Sequence, residues 1–374
     1  MKLIDFINKN KDNWQDILSK APYFIRINQD GNYYLLKYEQ ILSDNSYEIV
    51  KECRGCIITF RNNKWIYVCR PFDRFYNYGE VYAAEIDWSH VKVTEKIDGS
   101  LIKLWNDNGE WHWSTNGTID ARKAVANDAL GITFYDLILR ALEKNNRYLG
   151  EFYDEVESVH GARSKTFMFE VVSPVSRVVI PYENYDIFYL GVRSNENGEY
   201  EEWPIFEEMR PREWNFNSIE EVINAANNLT WMKEGYVVFD GVNRVKVKSP
   251  LYVEAHYMRS NGAVSLERLI KVVLDHEEDE FLIYCPEYTS KIERIKFFLK
   301  VTEENAEKLR IYFRDAVSFI ETKRVLTIHL QSYIHKKYWD FIYKNWDRDF
   351  TLTWKEYTKD WDAAKYVRYY KDEL

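Results

Sequence analysis

The hydrophobic pattern changes character near residue 250. Before it, short apolar runs alternate with polar positions between turn residues such as Gly31-Asn32, Asn62-Asn63 and Asp107-Asn108-Gly109. A period of two marks half-buried strands, so residues 23–118 read as short strands and turns. Residues 101–105 and 111–115 alternate on either side of Asp107-Asn108-Gly109, which predicts a β-hairpin. Further strands are expected at 165–172, 185–192, 235–240 and 244–248, and a helical period at 121–145. The first twenty residues read as an amphipathic helix, 3–18, broken by charges. After Pro250, apolar residues recur every three or four positions, and helices are expected at 251–278, 288–300, 302–322 and 325–346. The fold class is therefore α+β. A first domain, 1–250, holds antiparallel sheets flanked by helices, and a second, 251–374, is all helical.

With 374 residues the chain can fill two ordinary domains. The net charge of -9 argues against a generally basic nucleic-acid binder, so any such surface must be a local patch of Lys and Arg. Aromatic residues reach 17%, which suits thick aromatic cores and also base stacking. Cys53-x-x-Cys56 has metal or redox spacing and Cys69 could be a third ligand, but Cys285 lies far away. Buried thiols in a reducing cytoplasm are the expected state. No stretch has the apolar length of a signal peptide or a membrane span. Lys371-Asp372-Glu373-Leu374 spells an ER-retention address, read as coincidence because no entry signal accompanies it. A cytoplasmic monomer without a membrane partner is expected, in a host cytoplasm if the source is viral.

The candidate chemistry lies at charged strand ends. Lys96 sits in Glu95-Lys96-Ile97-Asp98-Gly99-Ser100, after the alternating Val91-Lys92-Val93-Thr94. A lysine at a strand end before an Asp-Gly turn can be presented as a nucleophile. Glu170 lies inside the apolar Thr166-Phe167-Met168-Phe169-Glu170-Val171-Val172, where a carboxylate is costly unless paired or metal-bound. Glu234 heads another apolar strand. Lys246 and Lys248, two apart, share one strand face. Like charges so placed repel unless an anion sits between them, and a phosphate would serve.

Taken in order, these segments resemble the covalent nucleotidyltransferase superfamily of ATP-dependent ligases and capping enzymes. Within it they are most similar to the RNA ligase 1 family of T-even phages. Lys96-Ile97-Asp98-Gly99-Ser100 matches motif I, Phe169-Glu170 motif III, residues 185–193 motif IIIa, Glu234-Gly235 motif IV and Lys246-Val247-Lys248 motif V. Upstream, Glu52-Cys53-Arg54-Gly55 resembles the family's E-C-R-G element, and Arg70-Pro71-Phe72-Asp73-Arg74-Phe75-Tyr76-Asn77 its R-P-x-x-K-F-F-N element. Two positions depart from the pattern. Arg74 stands where lysine is usual, which changes the geometry of any phosphate contact. Asn116 stands where the family has a basic residue, so no direct phosphate contact is expected from it.

The resemblance implies ATP-dependent RNA joining in three nucleotidyl transfers. Lys96 attacks the α-phosphorus of ATP, giving lysyl-AMP and pyrophosphate. AMP passes to an RNA 5′-phosphate, and an RNA 3′-hydroxyl then displaces it. A free lysine, with a pKa of about 10.4, is mostly protonated at pH 7, so nearby cations and burial must favour the amine. The resemblance implies Lys96, Lys246 and Lys248 as catalytic. It surrounds ATP with Glu95, Lys96, Arg54, Arg74, Gly99, Glu170, Glu234, Lys246 and Lys248. It implies Mg²⁺, with Mn²⁺ as a substitute, held through its water shell by Asp98, Glu170 and Glu234, a second metal near Tyr252 on the leaving pyrophosphate, and adenine stacked on residues from 185–190. The implied partners are RNA with 5′-phosphate and 3′-hydroxyl ends, tRNA among them, and an end-healing kinase and phosphatase. The helical C-terminal region favours an RNA ligase over relatives that carry an all-β OB fold there. In that region Lys323-Arg324 and Lys336-Lys337 interleave with Tyr333, Tyr338 and Trp339, as an RNA-facing surface or the solvated face of a bundle. The alternatives are a DNA ligase, a capping-type guanylyltransferase, and a non-catalytic RNA-end-binding module.

Overall fold

Turn chemistry sets the first layer. A computed structural model describes residues 2–40, 42–201, 205–257, 265–316, 320 and 322–370. Ile25–Asp30, Tyr33–Tyr38, Arg54–Arg61 and Lys64–Cys69 form an antiparallel sheet in chain order. Asn62 and Asn63 both take positive φ, as do Asn108 and Gly109 further on. Two successive left-handed residues make the type I′ turn whose twist suits a hairpin. The helices Lys2–Lys9 and Trp14–Leu18 cover one face of this sheet, burying Leu3, Ile7, Trp14 and Leu18 against Leu36, Ile58 and Tyr67. The single helix expected at 3–18 is thus two. Asn10 ends the first, its side-chain amide donating to the Phe6 carbonyl oxygen and its own carbonyl accepting from Asn13.

Two five-stranded sheets follow, and they carry the site. The first, here the glutamate sheet, has the order Tyr200–Glu201, Asp186–Ser194, Lys165–Val172, Ser100–Asp107, Glu110–Thr115. The second, the lysine sheet, has the order Glu213–Trp214, Lys92–Lys96, Gly235–Phe239, Arg244–Lys248, Tyr76–Asn77, with its last pair parallel. Each has its own apolar core. Ile102, Leu104, Phe167, Phe169 and Val171 pack the glutamate sheet against the helices Phe134–Lys144 and Leu149–Glu157. Val93, Tyr236, Val238, Val245 and Val247 pack the lysine sheet against Val222 and Ala226 of the helix Ile219–Asn227.

The helix expected over 121–145 is shorter than its period suggested. Val125–Asn127 and Ile132–Thr133 pair as a small two-stranded sheet, and the helix starts only at Phe134. Gly131, with a φ of +62°, breaks the run, and Thr133 with Asp136 forms a capping box that fixes the start.

The backbone divides into two units at His256/Tyr257, just beyond the boundary expected at 250. The helix Pro250–Tyr257 begins directly after the last strand, and Tyr252 reaches back to Asp98, so its opening turns stay with the first unit. The second unit is helical as expected. Two helices are expected at 288–300 and 302–322. Thr289–Ala316 is instead one helix, since no Pro or Gly interrupts it. Residues 325–346 split into Lys323–Tyr333 and Trp339–Trp346 around a short 3₁₀ turn at Lys336–Tyr338. Parts of the expected helices at 258–264, 317–319 and 321, and the terminal 371–374, lie outside the described residues. No helix among the described residues is long and apolar enough to cross a membrane.

Candidate active site

Residues 97–99 carry the chain from the lysine sheet into the glutamate sheet, so Lys96 is the last residue of one sheet beside the first strand of the other. This crossing is tight. A Cβ on Gly99 would lie 2.5 Å from the Val171 carbonyl oxygen and 2.9 Å from Glu170 Cγ. Only glycine lets the turn pass this close to the Glu170 strand.

Register then assembles the lysines. Gly235 lies opposite Lys96 on one side and Lys248 on the other, so the three residues form a row across the sheet. Gly235 has a φ of +142°, and a Cβ there would come within 2.7 Å of Lys248 Cα and closer still to the Val247 carbonyl oxygen. The missing side chain lets the strand Arg244–Lys248 lie this close. Glu234, 4% exposed, fills its edge. Its Oε1 is 2.8 Å from Lys96 Nζ and 3.6 Å from Lys248 Nζ, so two ammonium groups converge on one buried carboxylate. Lys246 shares the face of Lys248 one strand step away, its Nζ 5.6 Å from the Phe75 ring centre.

A cavity of about 370 Å³ separates the pocket faces of the two sheets. Lys96, Lys246, Lys248 and Arg54 line one part, and Phe72, Tyr200, Val237 and Phe239 line another. Glu170 faces the same space from the glutamate sheet, paired in register with Leu101. Its surface is partly open because it borders a cavity, yet protein surrounds it. Burial pushes its carboxyl up to about 7; Lys96 counters that push, and Glu234 adds to it. Of the segment expected to stack on adenine, Tyr189 and Leu190 line the cavity.

Asp98 is near enough to add to the upward push on Glu170, but it is turned away from the cavity. It is 4% exposed and does not line the cavity. Its Oδ1 accepts from Tyr252 Oη at 2.7 Å, and its Oδ2 accepts from the backbone N–H groups of Val179 and Ile180 at 2.9 and 2.7 Å. Such a carboxylate is a fastener between the motif I turn, a loop and the Pro250 helix. Of the residues implied for metal, Asp98 and Tyr252 bond to each other and neither lines the cavity. Among the described residues no cluster of three or more His, Cys, Asp or Glu could hold a metal unaided. Glu170 and Glu234 remain as carboxylates beside the cavity.

The upstream elements divide too. Arg54 lines the cavity, 5.1 Å above the Phe75 ring, and its Nη1 is buried without a hydrogen-bond partner. Arg74 does not line the cavity; its guanidinium lies 4.4 Å from the Tyr38 ring centre. Glu95 borders the cavity but forms an ion pair with Lys233. Asn116 also borders it, and its backbone packs on Gly55.

Two further residues support the site. Lys103 is fully buried; its Nζ donates to the Gly55 carbonyl oxygen, tying the Arg54 segment to the glutamate sheet. Burial pushes its pKa down. Arg193 holds the 70–77 segment. It donates from Nη1 to the Pro71 carbonyl oxygen at 2.6 Å, and from Nη1 and Nη2 to Asp73 at 2.8 and 2.7 Å. An arginine near the end of an apolar strand is the visible part of that clamp, but its partner more than a hundred residues earlier is not. All four cysteines are free and buried, as expected.

The segment that carries these residues matches known proteins. A family model described as RNA ligase, of the T4 RNA ligase 1 type, matches residues 52–252, more than half of the chain. The chain belongs to this RNA ligase family. A protein of Autographa californica nuclear polyhedrosis virus, whose name couples a polynucleotide kinase with an RNA ligase, is 34% identical over 277 residues. That match covers 69% of this chain but 38% of the viral protein. An RNA ligase of Rhodothermus phage RM378 is 26% identical over 354 residues, covering 79% of each chain. Among solved structures, an archaeal ATP-dependent RNA ligase is similar at a TM-score of 0.42 and 15% identity, over 78% of this chain and 80% of that one. The matched region of the RNA ligase family includes every residue from Arg54 to Tyr252 placed above.

Proposed function

We propose that this member of the RNA ligase family joins RNA 3′-hydroxyl and 5′-phosphate ends with ATP through a lysyl-AMP. The observation that carries the reading is the row Lys96–Gly235–Lys248 with Glu234 at its edge, opening on a cavity with a cationic part and an aromatic part. A nucleotide fits that division. Its base is served by stacking surfaces, and its phosphates by lysine and arginine donors.

In the first step Lys96 Nζ forms a bond to the α-phosphorus, and the bond from that phosphorus to the bridging oxygen breaks. Pyrophosphate leaves with the electron pair. The proton released from Nζ has Glu234 Oε1 as a neighbour at 2.8 Å. Lys246 and Lys248 neutralise charge developing on the α-phosphoryl oxygens, an interaction stronger in the transition state than in the ground state. AMP then passes to an RNA 5′-phosphate with release of the lysine amine, and the RNA 3′-hydroxyl displaces AMP to form the phosphodiester. Glu170 and Glu234 suit a Mg²⁺ or Mn²⁺ ion that takes its other ligands from water and substrate phosphates. Such an ion would offset phosphate charge. tRNA ends prepared by an end-healing kinase and phosphatase would supply the 5′-phosphate and 3′-hydroxyl that this chemistry needs.

The test is incubation of the whole protein with Mg²⁺ and α-labelled ATP or GTP, read on a denaturing gel and by intact mass. Label from ATP with a gain of one AMP, lost in Lys96→Ala, is expected. Label surviving in a folded Lys96→Ala protein would refute the assignment of the nucleophile. Label from GTP alone would point to a capping-type transferase.

A further inference from the structure

The aromatic part of the cavity contains a cation that the proposed phosphate chemistry does not use. Arg244 lies on the same strand face as Lys246 and Lys248, two residues before the first of them, paired in register with Phe239. Alternate residues along a strand are about 6.6 Å apart, so Arg244 stands roughly 13 Å from Lys248, toward the opposite end of the strand. Its guanidinium lies 3.7 Å from the Phe239 ring centre, 3.9 Å from that of Tyr200 and 4.4 Å from that of Phe72. Three rings fix it in place.

This arginine is under-satisfied. Its Nη1 is buried without a hydrogen-bond partner among the described residues. Burial lowers its pKa to about 10, which leaves it charged at neutral pH. Arg193, Arg54 and Asp73 are the charged groups acting on it, and Asp73 is held in a bidentate pair by Arg193. Arginine carries five N–H donors and no acceptor, so its complement is a ligand atom with a lone pair. A phosphate is already served at the other end by Lys96, Lys246 and Lys248.

We propose that Arg244 is a base-recognition residue that donates a hydrogen bond to an unprotonated ring nitrogen of the nucleotide's purine. The inference rests on the reading that this cavity takes ATP. The base enters the space bounded by Phe72, Val237 and Phe239, and its ring nitrogen supplies the acceptor that the protein withholds from Arg244. Arginine donors also suit the O6 and N7 acceptors of guanine. Arg244 therefore selects for a purine with a free ring nitrogen, and rejection of GTP falls to other groups.

The experiment measures formation of the lysyl-nucleotide with ATP and with 1-deaza-, 3-deaza- and 7-deaza-ATP, each lacking one ring nitrogen. Wild-type and Arg244→Met proteins are compared; methionine keeps length and apolar contact but removes every donor. In the wild type, one analogue is expected to show a KM about tenfold above that of ATP, the size of one charge-assisted hydrogen bond. In Arg244→Met, the KM for ATP should rise by a similar factor, with a smaller change in kcat, and that analogue should become as good as ATP. A scaffold role for Arg244 would instead lower activity equally for all four nucleotides, and that pattern would overturn the proposal. If Arg244→Met does not fold, the wild type decides alone, because equal KM values for ATP and all three analogues overturn it too. Absence of any label from ATP in the wild type would refute the ligase reading itself, a separate outcome.

Discussion

Two carboxylates that look alike in sequence do different work in the structure. Glu170 faces a cavity and is held near pH 7 by burial, whereas Asp98 is spent on three hydrogen bonds. For Glu170 the folded-state pKa of about 7 lies above the ordinary 4.5, so the native state binds the proton more tightly. Stability of the ligand-free protein should then fall as pH rises through that interval, with the full cost present above it. Glu170→Gln should remove the cost, raising stability at pH 8 by about 1–3 kcal/mol while slowing adenylylation. Urea unfolding at pH 5 and pH 8 checks this, and an equal effect of the substitution at both would contradict it. Asp98→Asn should behave in the opposite way. Loss of an acceptor from a buried network costs about 1–3 kcal/mol. The Mg²⁺ concentration for half-maximal labelling should not move. A large rise in that concentration would return Asp98 to the metal site.

At the scale of strands, the row of lysines depends on a residue with no side chain. Gly235→Ala would press a methyl group onto the neighbouring strand at a φ that non-glycine residues avoid. We expect a lower melting temperature and at least a tenfold loss of lysyl-AMP formation. Normal rates in that variant would show that the register tolerates strain. Much at this scale could be read beforehand. The strand Lys165–Val172, the hairpin around Asn108-Gly109 and the shared face of Lys246 and Lys248 all follow from short-range alternation and turn chemistry. The order of strands in the sheets did not, because Gly235 finds both Lys96 and Lys248 across more than a hundred residues of chain on one side. The direction of Asp98 was equally hidden, since its acceptors' partners lie at Val179, Ile180 and Tyr252. Arg244 escaped notice because, in sequence, it is one more charge on an edge-like strand. Its meaning comes from three aromatic rings contributed by distant segments.

Across the whole molecule, every residue assigned to nucleotide chemistry falls within the first unit, which has apolar cores of its own. A fragment ending after residue 257 should fold and accept label on Lys96, whatever it loses in joining RNA. A soluble, folded fragment that cannot be labelled would show that the helical unit takes part in the first step. The two five-stranded sheets have separate hydrophobic cores and are joined in sequence, beside the candidate nucleophile, by the brief crossing at 97–99. A nucleotide anchored to Lys96 and touching Glu170 would thus act as a further strut between the two layers, beside the packing of Arg244 and Phe239 on Tyr200. Charging the protein would then be a mechanical event as well as a chemical one. Amide hydrogen exchange should slow in strands on both sides of the cleft, and preparations carrying a fraction of AMP should melt in two steps that merge once pyrophosphate strips the nucleotide away.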